Sequence, residues 1–135
     1  MFGFSKSDRS SEMGAYYMAA ECELMNLEEM RIKLLEVLDT DLTHLEGTSE
    51  FTRDDAEACM VEIMQDYDER VPEISAAVQE NLKPYFDDAA AKGLRKQFDE
   101  YLKIRLDMFR FNLAFRAMNK QAAFCDRHEL PNHEA

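Results

Sequence analysis

Between Gly14 and Gly47, and again between Gly93 and Pro131, the chain contains neither glycine nor proline. Glycine and proline end helices and shape the tight turns of sheets, so these two unbroken stretches limit the fold more than any other feature. The whole 135-residue chain holds 4 glycines and 3 prolines, and valine, isoleucine and threonine together number only 12. Sheets draw on β-branched residues and turn formers alike. The sequence therefore predicts an all-α fold. Its length suits a single domain, and a chain of this size buries enough surface to fold without disulfides or metal. At 46% hydrophobic it is too apolar to be disordered, although 33% of its residues are charged.

The apolar residues follow helical spacing. Tyr16, Ala20, Leu24, Leu27, Leu34, Leu38, Leu42 and Leu45 recur every three or four positions, with Arg31 in the one missing step. A first helix is expected from a cap at Ser10 or Ser11 to about Glu46, stopped by Gly47. Thr52 reads as the next N-cap, with Asp54 and Asp55 suited to the positive end of the helix dipole. Ala56, Met60, Ile63, Tyr67 and Val71 then form one face. A third segment carries Ile74, Val78, Leu82, Tyr85 and Ala89, with prolines at 72 and 84. Gly93 marks a corner before a last helix over about Leu94–Asp126.

The two middle segments laid end to end match the outer helices in length. That match predicts an antiparallel bundle of three rods with the middle one kinked or broken at Pro72; an unequal four-helix bundle is the alternative. Residues 1–10 read as a flexible lead, 11–127 as the bundle domain and 128–135 as a polar tail.

The last helix carries more apolar surface than one core needs. Phe98, Leu102, Leu106, Phe109, Leu113 and Ala117 form one arc. Tyr101, Ile104, Met108, Phe111, Phe115 and Met118 form another on nearly the opposite side. Either this helix is central or one arc meets another molecule. The first helix repeats the pattern, with Met18, Met25 and Ile32 at seven-residue spacing opposite its leucine stripe and Cys22 nearby. Methionine adapts to varied partners, but the nine here also suit gap-filling in an ordinary core. The paired arcs on two helices point to a helical interface with a protein partner or, most simply, a homodimer. The candidate binding residues are Met18, Met25 and Ile32 with Tyr101, Ile104, Met108, Phe111 and Phe115, and Arg105 and Arg116 would set polar registry.

Charge is uneven along the chain. Residues 1–93 hold 22 acids and 8 bases, whereas residues 94–135 hold 6 acids and 8 bases, within a total of −12. A field of that sign repels nucleic acid, so no direct DNA or RNA binding is expected. No run of about 18 apolar residues suggests a membrane span, and the first residues lack the apolar core of a secretory signal. Cys22, Cys59 and Cys125 are odd in number and far apart, as small hydrophobes in a reducing cytoplasm would be.

Sites for chemistry are sparse. Asp41-x-x-His44 is the single near match to the paired Glu-x-x-His ligands of di-metal bundles, and His44, His128 and His133 are the only histidines. His128 and His133 read as exposed residues of a solvated terminus. Asp39, Asp41, Thr43 and Glu50 mimic positions of a calcium loop. His44 stands where that loop needs glycine, and Leu42 and Leu45 keep the helical period, so the segment should stay helical. Glycine-rich phosphate loops and nucleophile motifs are absent, and pairs such as Glu62/Asp66 and Asp66/Arg70 suit solvated helix faces. No catalytic residue, metal ligand or cofactor is assigned.

The resulting expectation is a small acidic interaction module, an adaptor, chaperone-like or inhibitory protein that binds rather than catalyses. One alternative is a ligand sensor or carrier whose interhelical pocket is edged by Tyr67, Tyr85 and Tyr101. Another is an acidic mimic of nucleic-acid charge that binds a DNA-binding protein.

Overall fold

The computed structural model describes the backbone of residues 2–131 and the side chains of residues 12–131. Within them the chain forms four helices and no strand: α1 (Phe2–Glu46), α2 (Arg53–Asn81), α3 (Lys83–Ala91) and α4 (Arg95–Arg127). No helix among the described residues is long and apolar enough to cross a membrane. Of the expected polar tail, residues 132–135, with His133, lie outside the described residues.

Contacts between elements give the topology. Glu12 meets Lys92, Tyr16 meets Asp88 and Glu23 meets Asn81, so partner numbers fall as α1 rises and α1 runs antiparallel to α3 and the end of α2. Asp68 pairs with Arg110, while Arg53 donates to the carbonyl of Pro131, which makes α2 antiparallel to α4. Between α1 and α4 the partners keep an offset of 80 to 84 residues along the whole length, so these two helices are parallel. The result is three rods, up, down and up, with α2 and α3 together forming the middle one.

Local chemistry explains the corners. α1 stops at Glu46, where Gly47 N–H reaches back to the carbonyl of His44 at 3.1 Å. Thr52 caps α2 as expected: its hydroxyl accepts from Asp55 N–H at 3.2 Å, and the Asp55 carboxylate accepts from Thr52 N–H at 2.8 Å. This reciprocal box satisfies two N–H groups that would otherwise lack partners. α3 ends in a Schellman motif, with Leu94 N–H bonded to the carbonyl of Ala89 and Gly93 N–H to that of Ala90. The motif requires a left-handed residue, and Gly93 supplies it at φ 73°. The end of α4 repeats the geometry with Glu129 at φ 54°, a conformation that strains a side-chain-bearing residue.

Two expectations are corrected. Of the two alternatives at Pro72, a kinked continuation and a break, the break is not found, because α2 continues through that residue to Asn81. Pro72 is exposed, so the carbonyl of Asp68 that it leaves without an N–H faces the solvent side of the rod. The interruption comes at Leu82, one residue before α3, whose first turn contains Pro84. Proline is favoured in a first turn, where its missing N–H costs nothing. Leu82 still accepts from the N–H groups of Tyr85 and Phe86, so the rod shifts phase without ending. The shift buries Phe86 and leaves Tyr85 exposed.

The second correction concerns the start of α1, which lies at Phe2 rather than at a cap on Ser10 or Ser11. No proline lies between Phe2 and Glu46, and a nucleated helix adds residues at little further cost.

The core lies between the rods. From α1 it takes the expected stripe, with Tyr16, Ala20, Leu24, Leu27, Leu34, Leu38 and Leu42 all buried and Leu45 half-buried. From α2 it takes Ala56, Ile63, Tyr67 and Val78, from α3 Phe86 and Ala89, and from α4 Phe98, Leu102, Phe109, Leu113, Ala117, Phe124 and Cys125. Phe98 is its aromatic hub, stacked on Phe86 at 4.4 Å and on Tyr16 at 5.4 Å.

Candidate functional site

α1 and α4 meet along a polar seam. Glu21 holds Arg105 in a two-pronged pair, with Nε at 2.7 Å and Nη2 at 3.0 Å, and it also accepts from the Tyr101 hydroxyl. Tyr101 stacks on Tyr17 with ring centroids 4.0 Å apart. One helical stretch further on, Arg31 reaches Asn112 Oδ1 at 2.6 Å and also pairs with Glu28. Lys120 then bonds both oxygens of Asp39 at 3.0 Å, and Arg127 and His128 close the series on Glu46. Acid on α1 and base on α4 recur because those helices carry opposite net charge: α1 has 10 acids and 4 bases, α4 has 4 acids and 8 bases.

The pairing alters the ionisable groups as its geometry demands. The hydrogen bond from Arg105 pulls the Glu21 carboxyl below its ordinary value, against its partial burial, with Tyr101 adding to the effect. Burial and the bond to Glu21 push Tyr101 up to about 12. All three groups keep their usual charge at neutral pH.

Outside this seam lies the apolar surface. Met18 is 72% exposed, Met25 61% and Ile32 47% on α1; Phe111 is 72%, Ile104 57%, Phe115 55% and Met108 52% on α4. Met118, part of the same arc, is also exposed. Helical geometry sets the α1 trio on the shoulder beside the seam, since each follows the seam-facing positions Tyr17, Glu21, Glu28 and Arg31 by about one position in angle. On α4, Ile104, Met108 and Phe115 lean toward the same seam from the other side. Phe111 and Phe115 are parallel, 6.4 Å apart. A shallow cleft of about 390 Å³ lies between α1 and α4 along the seam, lined by Glu21, Cys22, Leu24, Met25, Glu28, Arg105 and Phe109. Its floor is apolar and its walls are charged.

Seven of the ten residues singled out from the sequence, Met18, Met25, Ile32, Ile104, Met108, Phe111 and Phe115, are thus exposed on the two helices that flank the seam. The other three differ. Tyr101 is half-buried in the seam and committed to Glu21 and Tyr17, so it is not part of the open arc. Arg105 gives registry, but within the chain: it is held by Glu21 and lies over the Phe109 ring at 5.2 Å. Arg116 is exposed, without an ion pair among the described residues. Sequence reasoning missed Glu21, Asn112 and Tyr17, which organise the seam. The constant offset between α1 and α4 would have found them, but it exists only once the helices are known to be parallel.

Other candidate sites resolve differently. Residues 39–46 are helical, so the calcium-loop spacing falls on a rod. His128 is not free in a solvated tail: it packs edge-on to Phe51 at 5.0 Å and near Phe124 at 4.6 Å, with Glu46 at 3.1 Å. Among the described residues no three His, Cys, Asp or Glu side chains converge as metal ligands would. The tyrosines proposed to edge a ligand pocket occupy three settings: Tyr67 in the core, Tyr85 exposed on α3 and Tyr101 in the seam. Asp66 and Arg70 form an exposed pair at 2.9 Å. All three cysteines are free, and Cys22 alone is exposed, between Met18 and Met25.

Comparison with protein-family models, curated proteins and solved structures finds no match to this chain.

Proposed function

We propose that this protein is a small acidic interaction module that acts by protein–protein binding through the apolar face spanning α1 and α4. One observation carries the reading: seven large apolar side chains, each 47–72% exposed, lie outside the buried core on the two shoulders of the α1–α4 seam. Single exposed apolar residues are normal on any surface, but two rows of them flanking one polar seam on a small domain are characteristic of interfaces. Methionine and phenylalanine dominate the patch, and such side chains supply much contact area while adapting to a partner's shape. The adaptor, chaperone-like and inhibitory roles all use a surface of this kind. A net charge of −12 disfavours nucleic acid as the partner, and three free thiols suit a reducing compartment such as the cytoplasm.

The test is whether the face is available and used. An environment-sensitive apolar dye should bind the wild-type protein, and Met25→Lys with Phe111→Lys should abolish that binding without lowering the melting temperature. A protein that binds no dye and stays monomeric at high micromolar concentration in light scattering would overturn the reading.

A further inference from the structure

We propose that the occupant of this face is a second copy of the same chain, placed by a two-fold axis parallel to the helices so that α1 of each protomer lies against α4 of the other. This rests on the interaction-module reading above and names its partner.

Two independent features support the choice. The first is area. At about 200 Å² per large side chain, the eight exposed residues, Met118 included, present on the order of 900 Å² of surface. One partner in a standard stable interface contributes about 800 Å². The face is therefore the right size for a second domain rather than for a short peptide.

The second feature is charge. α1 carries a net −6 and α4 a net +4. Face-to-face copies related by an axis across the helices would set α1 on α1 and place acid against acid. An axis along the helices sets each acidic α1 on a basic α4. The exposed row of α1 continues beyond Ile32 to Glu36 and passes Glu29 between Met25 and Ile32. Neither glutamate holds an ion pair among the described residues, and neither does Arg116 on α4. Because α1 and α4 are parallel at an offset of about 82 residues, Arg116 sits at the height of residue 34. Under an axis along the helices it comes within about 3 Å, along the rod, of the other protomer's Glu36. The spacing of the α4 row suits such packing. Ile104, Met108, Phe111, Phe115 and Met118 alternate steps of four and three, the period of a knobs-into-holes seam.

The experiment is sedimentation equilibrium of the full chain across a wide concentration range, on wild type and four preparations. Wild type should be dimeric, and Phe111→Glu should raise the dissociation constant at least a hundredfold while its circular-dichroism melt shows a folded monomer. Arg116→Glu and Glu36→Lys should each weaken the dimer about tenfold, since each opposes like charges twice across the axis. An equimolar mixture of those two variants should recover wild-type affinity, because in the mixed dimer both pairs are again opposite in sign. A dimer indifferent to Phe111→Glu, or one weakened by neither charge reversal, overturns the arrangement. A wild-type monomer that still binds the apolar dye rules out the second copy but leaves the interaction-module reading standing. A monomer that binds no dye rules out both.

Discussion

The two faces of α4 have nearly the same composition and opposite fates. On the inner face Phe98, Leu102, Phe109, Leu113 and Ala117 are at most 6% exposed; on the outer face Ile104, Met108, Phe111, Phe115 and Met118 are at least 52% exposed. The hydrophobic effect does not distinguish them, since it is non-directional and responds only to area removed from water. The difference is one of coverage. Three rods enclose a single shared core, so each rod has one inward stripe, and any second stripe stays outside unless another molecule covers it. Excess apolar surface is thus a property of the helix, while burial is a property of its neighbours.

Substitutions along α4 can break or sharpen this contrast. The largest effect belongs to the inner face: Phe98→Ala should lower the unfolding free energy by about 3–5 kcal/mol in urea denaturation, through lost burial and a cavity beside Tyr16 and Phe86. If Phe98→Ala cost no more than an outer-face change, the inner face would not be the core.

The border between the faces should respond next. Asn112→Leu leaves the half-buried Arg31 without its cross-helix acceptor and should cost about 1–3 kcal/mol. Removing both groups together, Arg31→Leu with Asn112→Leu, should recover much of that loss, because it also removes the buried, unbonded Arg31 Nε and leaves no polar group of the pair behind. A double variant as unstable as the sum of its singles would show that the pair is not a unit.

At the end of α4, Glu129→Gly should stabilise the protein by roughly 1 kcal/mol by relieving the left-handed backbone strain. The thermal midpoint reads this directly, and a fall in it would contradict the Schellman geometry there.

A smaller effect comes from the seam. Because Arg105 depresses the Glu21 carboxyl below its ordinary value of 4.5, the pair stabilises the fold above that pH. Its contribution is lost as pH falls through the lower folded-state value. Both partners are partly solvated, so the contribution is below about 1 kcal/mol. Melting curves between pH 7 and 3 should fall less steeply for Glu21→Gln than for wild type, and identical slopes would remove the pair from the account.

Smallest of all is the outer face itself. Phe111→Ala should change the stability of dilute protein by less than about 0.5 kcal/mol, although its inner counterpart costs several times more. Repeating the measurement at high concentration sharpens the comparison: a penalty that grows with concentration locates the missing cover in another molecule.

Much of this was legible before any coordinates. The breaker-free stretches 15–46 and 94–130, the Thr52 cap and the glycine at 93 follow from local rules, because capping and turn geometry depend on a few neighbouring residues. So does the doubling of apolar arcs, which is arithmetic on a period of 3.6. Local rules failed where the surroundings had the deciding vote. Pro72 carries the same chemical disadvantage as any proline within a helix, but it faces solvent, and the rod passes through it to shift phase at Leu82 instead. His128 looks like tail by composition and becomes packed only because Phe51 and Glu46, about 80 positions away, meet it beside Phe124, its neighbour one turn back on α4.

From its sequence alone, then, this protein is an all-α chain with acidic early helices and a basic last one that has two apolar sides. Tertiary structure alone decides that α1 and α4 run parallel, that Glu21 rather than another of many acids meets Arg105, and that the arc through Phe111 is the one left open. The physical reason is that helix formation depends on residues a few positions apart. The choice of which face to bury depends on contacts between residues more than 80 positions apart, which no local period encodes.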